Sequence, residues 1–188
     1  MKNQVFYIVG LLALIGLIYW QREPLTDLAS QTMGNLTRSQ FIKQYAPVAK
    51  AAAQGTGLFP SVFIAQAILE SGNGNSSLTK QANNFFGIKA DSSWLGNYVI
   101  KPTKEFINGV EVIINAKFRA YNTAFDSFAD RVNFLKRNSR YSKAGVFIAA
   151  TPEQQAQALQ KAGYATDPEY SNLLIKLINQ NNLKQFDV

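Results

Sequence analysis

Hydrophobic residues change their spacing several times along this chain, and each change predicts a different element. From Val5 to Trp20, sixteen consecutive residues carry no charge and are mostly apolar. From position 37 the spacing becomes helical. Thr37-Arg38-Ser39-Gln40 reads as a capping box, and Phe41, Tyr45, Val48 and Ala52 share one face of a helix bent at Pro47 and ended at Gly55. A second helix spans Pro60 to Ser71, with Pro60 at its first position and Gly72 or Gly74 free to take the positive φ that closes it. Val62, Phe63, Ile64, Ala65, Ala67, Ile68 and Leu69 make it apolar nearly all round, which predicts burial. A short helical piece at Ser77–Ala82 and a loop through Asn83-Asn84-Phe85-Phe86-Gly87 follow.

Tyr98-Val99-Ile100 and the stretch from Lys104 to Tyr121 are rich in β-formers, and Asn108-Gly109 is a two-residue hairpin turn. Such a turn pairs Ile107 with Val110 and Glu105 with Val112 on one face, leaving Glu111 beside Phe106 on the other. The helical period then returns. Phe125, Phe128, Ala129, Val132 and Leu135 recur behind a Thr123 cap. Thr151-Pro152-Glu153-Gln154 opens a helix that closes at Gly163, and Asp167-Pro168 opens the last, with Tyr170, Leu173, Leu174, Leu177 and Ile178 inward. The pattern predicts one mainly helical α+β domain with a small β insertion.

Composition narrows the chemistry. A chain of 188 residues, 47% of them apolar, can bury one sizeable core. It contains no cysteine and no histidine, which excludes disulfides, thiolate metal sites and His-dependent nucleophilic triads. Acid–base work falls to Glu, Asp, Tyr or Lys. The net charge of +7 suits an anionic partner such as a phospholipid surface or an acidic wall polymer. No dense basic run or aromatic ribonucleoprotein motif points to nucleic acid. As a helix, Val5–Trp20 reaches about 24 Å, a little short of a hydrocarbon core of about 30 Å, with Tyr19-Trp20 suited to the headgroup level. A cleaved signal peptide is the rival reading, but bulky Ile18-Tyr19-Trp20 is not a small-residue cleavage site. Residues 1–22 are therefore expected to be a transmembrane signal-anchor with a cytoplasmic N-terminus, and 23–36 a polar tether to an exported domain.

Among twelve acids, Glu70 stands apart. It lies at the negative end of the dipole of a buried helix, where desolvation and the dipole both disfavour its ionised form. A carboxylic acid kept protonated near neutral pH can donate a proton to a leaving group. Glycoside hydrolysis pairs such an acid with a second carboxylate. Glu23 and Asp27 lie in the tether, Asp187 in the tail, and Asp126, Asp130, Glu153 and Glu169 in first turns or exposed helical positions. Asp91, Glu105, Glu111 and Asp167 remain as candidates. Asp167 reads most simply as a helix cap, and Glu111 as a surface residue.

Over residues 38 to 183 the sequence resembles the endo-β-N-acetylglucosaminidases of glycoside hydrolase family 73, including the flagellar peptidoglycan hydrolase domain. The matching motifs are Pro60-Ser61-Val62, Ala65-Gln66-Ala67-Ile68-Leu69-Glu70-Ser71-Gly72 and Asn84-Phe85-Phe86-Gly87-Ile88-Lys89. Three more follow in order: Thr103-Lys104-Glu105-Phe106, Ala116-Lys117-Phe118-Arg119-Ala120-Tyr121 and Ala162-Gly163-Tyr164-Ala165-Thr166-Asp167-Pro168. The resemblance implies a lysozyme-like fold over residues 37–185 and cleavage of the β-1,4 bond from N-acetylglucosamine to N-acetylmuramic acid, without metal or organic cofactor. It carries the general-acid role onto Glu70, the second carboxylate onto Glu105, and a place beside the cleaved sugar onto Tyr164. Asn84, as a hydrogen-bonding partner for an acetamido or carboxylate, and Phe85, Phe118 and Tyr121 are further candidates for contact with the glycan strand, with packing as the alternative for Phe85 and Phe118. Many relatives have Trp where this chain has Asn73, so one stacking surface for a sugar is absent. A lytic transglycosylase or muramidase of the same fold, and a non-catalytic wall-binding or assembly module, are the alternative functions.

Overall fold

The computed structural model describes residues 35–107 and 110–188, without the side chains of 105–107, 110 and 111. The expected membrane anchor, nearly all of the tether and the Asn108-Gly109 turn lie outside the described residues, among which no helix is long and apolar enough to cross a membrane.

Helix α1, Arg38–Ala53, begins at the predicted capping box: Thr37 Oγ1 accepts from Gln40 N, and Gln40 Oε1 accepts from Thr37 N at 2.8 Å. It continues through Pro47, losing one N–H from its ladder, and stops at Gln54, just before Gly55. Its buried face is Phe41, Ala46, Ala49, Ala52 and Ala53; Tyr45 and Val48, expected inward, are only half-buried. Small alanines take the centre of the contact, and the Tyr45 ring instead meets Phe85 edge-on, with centroids 4.8 Å apart.

Helix α2, Pro60–Ser71, is the hub of the core, with Val62, Phe63, Ile64, Ala65, Ala67 and Ile68 all at or below 3% exposure. Gly72 closes it in the left-handed region at φ 58°. Its N-cap, Phe59, offers no side-chain acceptor; Asp187 provides one from the far end of the chain, its Oδ1 accepting from Ser61 N at 2.7 Å. Asp187, placed in the tail by the sequence reading, is thus fastened to the core helix. A 3-10 turn, Leu183–Phe186, packs on α2, buries Leu183 fully and carries Lys184 into an ion pair with Glu153.

Helix α3, Ser77–Ala82, leads to the sheet, where β1 (Tyr98–Ile107) and β2 (Val110–Arg119) pair antiparallel. The register matches Ile107 with Val110, Glu105 with Val112 and Phe106 with Glu111, as the turn predicts. Strand β1 runs on through Pro102, because in a two-stranded sheet each strand has a free edge on which a missing N–H does no harm. Val99, Ala116 and Phe118 lie against Leu78 and Ala82 of α3 and form a second, smaller apolar cluster.

Helix α4, Ala124–Arg137, has the predicted Thr123 cap, completed by Asp126 as a capping box. Phe128, Val132 and Leu135 point inward, but Phe125 is 48% exposed. The buried stripe is turned towards Ser127, Asp130 and Arg131, which leaves Phe125 at its rim. Asp130, assigned from sequence to an exposed or first-turn position, is buried. Helix α5 (Ser139–Lys143) and a 3-10 turn (Val146–Ile148) were not legible in the pattern and bury Tyr141 and Val146. Helix α6, Pro152–Lys161, is capped by Thr151. Helix α7, Tyr170–Gln180, begins later than Asp167, whose Oδ1 accepts from Glu169 N in the turn before it. The domain is mainly helical with one small antiparallel sheet, a lysozyme-like arrangement.

Candidate active site

Glu70 occupies the last turn of α2 and is 7% exposed. Its Oε1 accepts a long hydrogen bond, 3.3 Å, from the hydroxyl of Tyr170 at the start of α7. Burial raises the carboxyl to about 7, while the Arg131 cation and the Tyr170 bond pull it down. At neutral pH the group is therefore divided between acid and carboxylate, the condition that suits a proton donor.

One turn earlier on the same helix face, Gln66 is fully buried. Its Nε2 donates to Tyr170 Oη at 2.6 Å, and its Oε1 accepts from Arg131 Nη2 at 2.8 Å. Arg131 of α4 is fully buried, and its Nε and Nη1 have no hydrogen-bond partner. Its guanidinium lies over the Tyr164 ring, 4.4 Å from the centroid, and 5.8 Å from that of Phe86. Tyr164 stacks on Tyr170 with centroids 5.4 Å apart. The Tyr164 hydroxyl is buried and makes no full hydrogen bond; burial raises its pKa against the pull of Arg131. Sequence reasoning singled out Glu70 and Tyr164 but not the Gln66, Arg131 and Tyr170 polar groups that surround them. A lone amide four residues before the acid, in an otherwise apolar helix, was the available signal for Gln66.

A second polar network holds the sheet to the helices. Asp130 Oδ2 accepts from Arg119 Nη1 at 2.7 Å and from the Tyr121 hydroxyl at 2.9 Å, and Oδ1 accepts from Arg137 Nη2 at 3.1 Å. Arg119 also reaches Asp91 at 3.4 Å and lies over the Trp94 ring, 4.5 Å from its centroid.

The structure places Tyr164 beside Tyr170 near Glu70 but 1% exposed, packed in the core and not on a sugar-facing surface as expected, and places the other candidates elsewhere. Asn84, 1% exposed, spends its amide on backbone: Nδ2 donates to Ile88 O and Arg119 O, and Oδ1 accepts from Ile88 N. Phe85 sits in the main core between Tyr45 and Phe128, Phe118 in the smaller cluster, and Tyr121 on Asp130. Glu105 has its backbone in β1 opposite Val112, in the same alternation as Val99 and Thr103. Among the described residues, no group of three or more acidic side chains could hold a metal ion. A surface groove lined by Lys50, Gln54, Leu58, Pro60 and Asp187 lies at the opposite end of α2 from Glu70, about 15 Å along its axis, and is separate from this site.

A helical core with a small sheet lobe and one half-ionised, buried glutamate at a helix end defines a lysozyme-like glycoside hydrolase domain. Residues 46–183 match the glucosaminidase family model, described as mannosyl-glycoprotein endo-beta-N-acetylglucosaminidase, and the chain belongs to that family, glycoside hydrolase family 73. It is 41% identical over 144 residues to peptidoglycan hydrolase FlgJ of Escherichia coli K12, an alignment covering 74% of this chain and 45% of that protein. With exo-glucosaminidase LytG of Bacillus subtilis 168 it shares 34% identity over 187 residues, covering 97% of this chain and 65% of LytG. The catalytic domain of the autolysin Auto from Listeria monocytogenes superposes with a TM-score of 0.72 at 34% identity, covering 88% of this chain and all of that domain. The chain spans less than half the length of the FlgJ protein it matches.

Proposed function

We propose that this domain hydrolyses peptidoglycan glycan strands at the β-1,4 bond from N-acetylglucosamine to N-acetylmuramic acid. Glu70 gives its proton to the glycosidic oxygen as the bond to the anomeric carbon breaks. Water then adds its oxygen to that carbon and releases a proton, which restores the acid. Glu105 is the second carboxylate, either activating that water or orienting the substrate's own acetamido group. Tyr164 supports the wall behind Glu70. The observation that carries this reading is the position of Glu70: buried at the end of α2 and bonded to Tyr170, within the region that matches the family. Residues 1–22 anchor the chain in a membrane, which places the domain on the outer side, where its positive charge favours an anionic wall.

Mass spectrometry of peptidoglycan digested by the purified full chain tests the reading. Products ending in reducing N-acetylglucosamine are expected from wild type and absent with Glu70→Gln. Reducing N-acetylmuramic acid would make the domain a muramidase, 1,6-anhydromuramic products a lytic transglycosylase. Glycan binding with no cleavage by wild type would make it a wall-binding module.

A further inference from the structure

Arginine is the one side chain in this core that can only donate hydrogen bonds. Arg131 therefore fixes the direction of every bond that leads from it to Glu70. Its Nη2 donates to Gln66 Oε1, so the Gln66 amide cannot be flipped, and Nε2 must face Tyr170. Nε2 donates to the Tyr170 oxygen, which leaves the phenolic hydrogen for Glu70 Oε1. Three bonds from three helices thus run in one sense, with a fixed cation at one end and the acid at the other. Each donor polarises the next. Arg131 itself has no carboxylate within ion-pair distance among the described residues, and two of its donor atoms are unpaired. A buried cation in that condition is costly unless negative charge appears nearby. Glu70 supplies that charge at the moment it loses its proton.

We propose that Arg131 sets how readily Glu70 releases its proton, acting through the aligned amide of Gln66 and hydroxyl of Tyr170. This inference rests on Glu70 being the acid of the proposed reaction. Other titratable groups facing the cluster are phenols: Tyr164 beneath the guanidinium, Tyr170, and Tyr141 of α5, whose hydroxyl accepts from Arg140. Arg131 is the charged residue among the described ones that bears on Glu70. Without the relay, burial of Glu70 is opposed only by the direct field of Arg131, and the residue becomes a weaker acid.

The test follows the Glu70 carboxyl by carbon-13 NMR titration in the full chain, beside the pH dependence of kcat/KM on peptidoglycan. Tyr170→Phe and Gln66→Met each break two of the three bonds of the relay while keeping Arg131. In both, the Glu70 titration and the alkaline limb of activity are expected to rise together by about one pH unit. Arg131→Met should raise them further, and Arg131→Lys, which keeps the charge, should restore part of the change. Should Arg131→Met fail to fold, the other two variants decide. Folded Tyr170→Phe and Gln66→Met proteins that titrate as wild type would overturn the inference, whatever activity they lose. An inactive wild type whose Glu70 still responds to these substitutions would overturn the hydrolase reading and leave the relay standing.

Discussion

Tyr170 donates its hydroxyl hydrogen to Glu70 from a helix one hundred residues further along the chain. That bond joins the two halves of the site: α2 brings the acid, and α7 brings the group that steadies its ionised form. Burial still dominates, and the consequences for pH are direct.

Glu70 titrates at 4.5 in an open chain and at about 7 in the fold. The folded state binds the extra proton between these values, so stability is full below pH 4.5 and falls as pH rises through that window. At 1.36 kcal/mol per pH unit the loss amounts to about 3 kcal/mol above pH 7. Glu70→Gln removes the buried charge. Thermal unfolding should show the variant more stable than wild type at pH 8 by up to that amount and equal to it at pH 4, while cleavage is abolished at both.

Activity should follow the same group. With Glu70 as proton donor, kcat/KM is expected to fall tenfold per pH unit on the alkaline side, with a midpoint near 7. A rate that stays flat up to pH 9 would remove Glu70 from that role.

Glu105→Gln is expected to cut the rate less than Glu70→Gln does. A substrate whose acetamido group assists needs the second carboxylate only for orientation. Single-turnover rates of the two variants on the same glycan strands compare them.

Asp130 is the junction between sheet and helices, with Arg119, Arg137 and Tyr121 all bonded to its carboxylate. Asp130→Ala leaves the buried Arg119 cation short of a partner and should cost about 3 kcal/mol in urea unfolding. Asp91→Ala, at the more exposed end of the same network, should cost at most about 1 kcal/mol.

What could be read from the sequence was local. Thr37 with Gln40, Pro60 with Gly72, and the strand pairs around Asn108-Gly109 are signals complete within a dozen residues, and those elements fold where the pattern puts them. What escaped reading depended on distant partners. Asp130 looks like any helical aspartate until Arg119 and Tyr121 are folded against it. Arg131 keeps step with Phe128 and Leu135, yet nothing in its neighbours along the chain explains a buried cation. Asn84, Phe85, Phe118 and Tyr121 lie in the motifs and here serve loop geometry, core packing and the Asp130 network, uses that motif membership alone does not separate from contact with a sugar. Membership of the family, by contrast, was legible from the order of several motifs.

The cap that Asp187 places on Ser61 has a mechanical side. Asp187→Ala should lower stability by about 1 kcal/mol in urea unfolding, the usual loss for a missing helix cap. The same contact spans 126 residues, so translation delivers the acid early and its fastenings late. A nascent chain carries Glu70 on a helix whose first turn stays unsealed until residue 187 and whose tyrosine partner arrives only at position 170. Until Tyr170 has been added, the growing chain lacks the hydroxyl that bonds Glu70.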